Sequence, residues 1–145
     1  EGLSALERQI AVSQVSATVK RNKLAVSDND DHTLYVGEAS PSTRITGNLH
    51  KGAPVLTITL DTYCKRNDVS KVDFIKMDIE GAEVMALNGA KQILRRDKPK
   101  LAISVYHKWD DLREIPGLIK SIRPDYEFYL DCTTGFGGEA VLYCR

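Results

Sequence analysis

The sequence predicts an α/β domain whose sheet is parallel in its middle and ends in an antiparallel hairpin. Three observations carry this. Strand-like and helix-like segments alternate along the 145 residues. Two strand-like segments, at residues 72–79 and 101–106, are nearly continuous apolar runs, as strands covered on both faces are. Residues 126–132 and 139–145 then flank TTGFGG as a closing pair of strands.

The elements follow in order. Ser4 and Glu7 form a capping box, and Leu3, Leu6 and Ile10 share a stripe, so a short first helix is expected. Residues 17–27 read as a strand that ends at Ser27-Asp28, and DNDD at 28–31 is a turn. Residues 33–36 read as a short strand, followed by the polar loop EASPSTRITGN. VLTITL at 55–60 alternates as a strand, and Asp61 suits the N-cap of a helix over 62–67. After the strand at 72–79, residues 81–97 form a helix with Val84, Leu87, Ala90 and Leu94 on one stripe. Glu80 and Glu83 at its start and Arg95, Arg96 and Lys98 at its end complement the helix dipole. Pro99 stops it, and Gly89 inside it costs about 1 kcal/mol relative to Ala. After the strand at 101–106, Asp111 caps a helix that turns Leu112, Ile115, Leu118, Ile119 and Ile122 inward, with Pro116 splitting off its first turn.

Composition narrows the function. Lys plus Arg equals Asp plus Glu at 20 each, so no net charge favours nucleic acid or acidic lipid as a partner. No apolar run approaches the roughly 20 residues of a membrane span. EGLSALERQ lacks the basic and apolar regions of a signal peptide. Glu1 in place of an initiator Met reads as a processed, trimmed or partial product. Cys64, Cys132 and Cys144 are odd in number and far apart, which argues against a zinc site and a disulfide framework and for a reduced, cytoplasmic chain. Mirror pairing of the last hairpin sets Cys132 opposite Glu139 and Cys144 opposite Glu127.

The candidate site lies where FIKMDIEGAE passes from strand to helix. Charge in a buried strand is costly unless paired or used. The plainer explanation is an acidic helix start with Gly81 serving the tight turn, or an ion pair between Lys76 and Asp78 on one strand face. From pattern alone it carries more weight. In the functional alternative, Asp78 and Glu80 project into a cleft and bind a polar or cationic group. In open α/β sheets ligands bind beyond the carboxyl ends of the strands, which places Asp28, Asp78, Glu80 and His107 on one rim. His107 is either an exposed or structurally bonded histidine or a general base. Ser27-Asp28 taken alone is a turn initiator. Gly135-Phe136-Gly137-Gly138 leads into a strand rather than a helix, so it is not a phosphate loop. Tyr126, Phe128 and Tyr129 read as core and sheet-face residues, and His32 and His50 as loop residues.

VLTITLDTYC, KVDFIKMDIEGAEVMALNGAKQIL, KPKLAISVYH and DLREIPGLIKSIRPDYEFYL resemble, in order and spacing, the FkbM-type methyltransferases. KLAVSDND and HTLYVGEASPSTRI extend the resemblance to roughly residues 20–145, and Lys76-x-Asp78-x-Glu80-Gly81-x-Glu83 is its most specific part. The resemblance implies a Rossmann-like class I methyltransferase sheet and S-adenosylmethionine-dependent methyl transfer to a hydroxyl oxygen of a small molecule or sugar. It implies that Ser27, Asp28 and Asp78 bind the cofactor, Asp28 near the adenine and Asp78 near the methionine part and the transferred methyl, that His107 faces the acceptor, and that His107, Asp78 and Glu80 are catalytic, with no metal. The family's glycine-rich loop and most of its second strand have no counterpart here. Residues 1–145 are therefore expected to form a single, partial domain, incomplete at its N-terminal half, that exposes sheet edges able to form homo-oligomers. No nucleic acid or membrane partner is expected. The rival expectation is a non-catalytic α/β module that lost its cofactor half and serves as a binding or assembly partner.

Overall fold

The computed structural model describes residues 19–36, 53–132 and 139–145. The expected first helix, the loop at 38–48 and TTGFGG lie outside these residues. The elements are β1 (Ala25–Val26), β2 (Thr33–Val36), β3 (Ala53–Ile58), α1 (Leu60–Arg66), β4 (Phe74–Met77), α2 (Glu83–Asn88), α3 (Lys91–Asp97), β5 (Lys100–Ser104), α4 (Asp111–Ile122), β6 (Phe128–Cys132) and β7 (Ala140–Cys144).

The strands form two sheets rather than one, ordered β1-β3-β2 and β4-β5-β7-β6. In the second sheet β4 and β5 are parallel, with Met77 beside Ile103, and β7 runs antiparallel to both β5 and β6. The two apolar runs therefore pair in parallel and the hairpin closes the sheet. Its register is one residue from the expected one: Cys132 faces Ala140 and Cys144 faces Phe128. The three cysteines are free thiols, and burial pushes Cys144 up to about 12.

Met77, Leu87, Leu94, Leu101, Ile103, Ile115, Ile119 and Leu142 build the core between this sheet and helices α2, α3 and α4. Fully burying each such side chain contributes about 1.5–3 kcal/mol. Tyr126 joins them and donates its hydroxyl to the Pro99 carbonyl at 2.8 Å. Phe128 packs against this core, while Tyr129 is exposed on the sheet.

Several local expectations are corrected by tertiary contacts. Within the described part of the segment 17–27, residues 19–27, only Ala25–Val26 is a strand, because β3 supplies a ladder to those two residues alone and residues 19–24 are exposed. The N-cap of α1 is Thr59, whose hydroxyl accepts the Thr62 N–H at 3.0 Å. Asp61 instead accepts the backbone N–H groups of Gln92 and Ile93, both at 2.9 Å, at the start of α3. That start exists because residues 81–97 form two helices, broken at Gly89-Ala90. The stripe survives the break, with Leu87, Ala90 and Leu94 fully buried and Val84 partly so. Asp110 takes the N-cap position of α4, and Asp111, its first residue, is buried with its carboxylate accepting the Lys108 N–H at 2.7 Å. Pro116 lies inside one continuous helix, whose Ile115 and Ile119 are buried on either side of it, whereas Leu112 is exposed.

Gly89 owes its identity to packing. A Cβ there would overlap the carbonyl oxygen of Ser27, at the end of β1, and crowd the Thr59 side chain. The two sheets are thus held together by a backbone-to-backbone approach that only Gly permits, reinforced by the bond from the Asp61 N–H to the Gly89 carbonyl at 3.0 Å. Gly89→Ala is expected to destabilise the fold by about 1–3 kcal/mol, the usual cost of overpacking, read as a lower urea midpoint. An unchanged midpoint would show that β1 does not press on the α2–α3 break.

Candidate functional site

The site begins where β4 and β5 end. In parallel strands with Met77 beside Ile103, the next residues, Asp78 and Ser104, also fall together. After Met77 the backbone turns through Glu80 (φ 57°) and Gly81 (φ 93°), both left-handed, into α2. Glycine suits the second of these, and its α-carbon faces His107 and Lys108. Glu80 therefore stands in the turn rather than in the helix. Glu83 is the first residue of α2 and is 1% exposed. Its Oε1 accepts the Ile79 N–H at 2.9 Å.

Beyond Ser104, the chain delivers Tyr106 and His107 onto these acids. The Tyr106 hydroxyl donates to Asp78 Oδ1 at 3.2 Å, and its ring stands 4.2 Å from the imidazole of His107. The imidazole is buried. Its Nε2 lies 3.5 Å from Asp78 Oδ1 and 3.8 Å from Glu80 Oε2, and its Nδ1 lies 3.0 Å from Glu83 Oε1. The last distance would suit a hydrogen bond, but the ring N–H does not point at the oxygen. Both ring nitrogens and Glu83 Oε2 are left buried without an aligned partner. An unsatisfied buried polar atom costs about 1–3 kcal/mol, so this is where a bound polar group would gain most.

Lys76 Nζ reaches Asp78 Oδ2 at only 3.5 Å, and both groups are largely solvated. Such a pair is worth about 0–1 kcal/mol, too little to account for the acids on its own. Burial pushes the Asp78 carboxyl up, but the hydrogen bonds from Ser104 and Tyr106 and the nearby Lys76 charge outweigh it and hold the group below 3.8. Burial, then the Asp78 charge, raises the Tyr106 phenol.

The structure thus gathers Asp78, Glu80 and His107. It places Ser27 and Asp28 elsewhere. Ser27 is buried and donates its hydroxyl to Asp28 Oδ1 at 3.2 Å, and Asn29 donates to the same oxygen at 2.7 Å. Asp28 borders a cleft of about 430 Å³ with Thr59, Asn88, Lys91 and Arg95. That cleft meets the C-terminal end of α2 whereas the acids and His107 meet its N-terminal end, a rise of about 9 Å over six residues. The expected single rim is therefore divided, because β1 belongs to the other sheet. Within DNDD, Asp30 is the structural member: it accepts the Thr59 N–H and the Thr62 hydroxyl, each at 2.7 Å.

Tyr106 and Ser104 were not among the expected site residues. The signal for them was the pairing of two parallel apolar runs, which sets residues after Ser104 beside those after Met77. A further cleft, about 540 Å³, lies between α1 and α3, where Asp61 and Arg96 already have partners. Chemistry and burial weigh more than volume here. Among the described residues, no group of His, Cys, Asp and Glu is placed to hold a metal ion, and no helix is long and apolar enough to cross a membrane.

A family model described as the methyltransferase FkbM domain matches residues 6–128. The crystal structure of a methyltransferase FkbM from Methylobacillus flagellatus KT superposes with a TM-score of 0.71 at 29% identity. The match covers 99% of this chain and 32% of that one, so the chain spans about a third of that protein's length. No curated protein matches the chain.

The Asp78 carboxyl gives a pH test. Its lowered pKa means that its contribution to stability is fully present above the unfolded value near 3.8 and is lost as pH falls through the folded value. In Tyr106→Phe the carboxyl should titrate closer to 3.8, followed by carboxyl-carbon NMR. A titration unmoved by the substitution would remove Tyr106 from the site.

Proposed function

Because the chain belongs to the FkbM methyltransferase family, whose domain spans residues 6–128, we propose that it carries out S-adenosylmethionine-dependent methyl transfer to a hydroxyl oxygen of a small molecule or sugar. The observation that carries the reading is the meeting of Asp78, Glu80 and a buried His107 at the carboxyl ends of two parallel strands. S-adenosylmethionine, when bound, supplies a methyl group from a positively charged sulfonium. The donor set suits such a group: Asp78, with its lowered pKa, is ionised at neutral pH, and Glu80 adds a second carboxylate. Carboxylates there favour a cationic ligand and orient the acceptor hydroxyl. Asp28, which the buried Ser27 hydroxyl bonds, borders a polar cleft that suits the adenine end.

The acceptor oxygen must lose its proton as it bonds to carbon, and we assign that proton to His107 Nε2, which lies 3.5 Å from Asp78 Oδ1. Its orphaned nitrogens support this role. In the active enzyme, His107→Gln should lower the rate about 10²–10⁴-fold with cofactor binding retained. A variant that keeps its rate would move the role to Asp78 or Glu80.

The two-sheet arrangement favours one further part of the reading, that the domain is incomplete at its N-terminal half. Among the described residues, β1 and β4 each end a sheet with an unpaired side. Unpaired strand edges recruit other chains. The isolated 145-residue chain should therefore bind S-adenosylmethionine weakly in calorimetric titration and form dimers or larger assemblies in light scattering. Micromolar affinity together with a monomer would sink the incompleteness and leave the methyltransferase reading in place. Assembly without any methyl transfer, even when joined to a cofactor-binding segment, would favour a non-catalytic assembly module.

A further inference from the structure

We propose that Glu83 is the positioning residue for His107: its buried carboxylate holds the imidazole as the Nδ1–H tautomer and keeps Nε2 free to receive a proton. The proposal rests on His107 acting as the base in the reading above and deepens it.

The two faces of the ring differ. Nδ1 lies 3.0 Å from Oε1 of Glu83, a residue 1% exposed. That carboxylate is fixed from behind by the Ile79 N–H on the same oxygen, while Oε2 is buried and accepts nothing. A buried carboxylate is tolerated when it is hydrogen-bonded, and Nδ1 is the orphaned atom beside it. Rotation of the ring that aligns Nδ1 with Oε1 would give the orphaned nitrogen a partner. Nε2 faces Asp78 and Glu80, whose side chains are 39% and 28% exposed and so within reach of a solute. Tyr106 stacks on the ring, and its hydroxyl is committed to Asp78.

Which nitrogen carries the proton is set by the hydrogen bond the other makes. With the proton on Nδ1, the lone pair on Nε2 points to the acids where an acceptor hydroxyl would sit. As that hydroxyl oxygen bonds to the methyl carbon and the carbon–sulfur bond breaks, the O–H proton passes to Nε2. The resulting imidazolium has Glu83 on one side and Asp78 and Glu80 on the other, and opposite charges favour the charged form.

The test is imidazole nitrogen NMR of the 145-residue chain at about pH 9, above the ordinary histidine range. His107→Gln assigns the His107 signals against those of His32 and His50. The expected result is a dominant Nδ1–H tautomer in the wild type, and its loss toward Nε2–H in Glu83→Gln. An Nε2–H tautomer in the wild type, an imidazolium persisting at that pH, or an unchanged tautomer in Glu83→Gln would each overturn the proposal. If Glu83→Gln does not fold, the wild-type tautomer decides alone. The measurement needs no methyl transfer, so the Nδ1–H tautomer in a chain that stays inactive even when joined to a cofactor-binding segment would fault the function and not the dyad.

Discussion

The constraint on which the site depends is the burial of one carboxylate. Glu83 is placed, 1% exposed, at the first position of α2, and it accepts the backbone N–H of Ile79, just past the end of β4. That bond bridges the two left-handed residues, Glu80 and Gly81, that turn the chain from strand to helix. It also puts negative charge at the helix start, where the dipole favours it. Once the turn is fixed, the position of Glu80 is fixed with it, and β5 brings His107 against the same carboxylate. An acid that looks like ordinary helix-end decoration is thus the piece that shapes the whole junction.

Much of this arrangement was legible because it follows from local chemistry. The apolar runs at 72–79 and 101–106 do pair in parallel as β4 and β5, but only β5 is covered as expected, since β4 leaves Phe74 and Lys76 exposed. The stripe of Val84, Leu87, Ala90 and Leu94 was correct, because an apolar stripe records which side faces the core whether or not the helix is continuous. The gathering of Asp78, Glu80 and His107 followed from strand ends alone. What could not be read depends on residues distant in sequence. Gly89 looked like a weak point within one helix until Ser27 was seen to press on it. Asp61 looked like the cap of its own helix, yet it serves one that starts 30 residues later. Leu112 fitted an inward stripe by spacing, but it is exposed, and the buried residue of that first turn is Asp111.

The failure of the single rim has the same origin. A strand-end rule assumes one sheet, and this chain forms two. Ser27 and Asp28 do end a strand, but that strand pairs only with β3. Nothing in a local pattern distinguishes a strand of one sheet from a strand of another. The distinction lies in long-range pairing, which propensity does not encode.

The division also separates two tasks. The acids, Tyr106 and His107 stand wholly on β4, β5 and α2, a unit whose core is closed by β7 and α4. Ser27 and Asp28 are tied to that unit through Gly89, Thr59 and Asp61 at the α2–α3 break. Geometry within the cluster of acids, Tyr106 and His107 is therefore set by parallel strand pairing and a buried carboxylate. The distance from that cluster to Asp28 is set by α2 and by the close approach at Gly89. Moving β1 would shift Asp28 without disturbing His107. A group that spans both neighbourhoods must accordingly be long and polar at each end, with positive charge favoured at the Asp78 end.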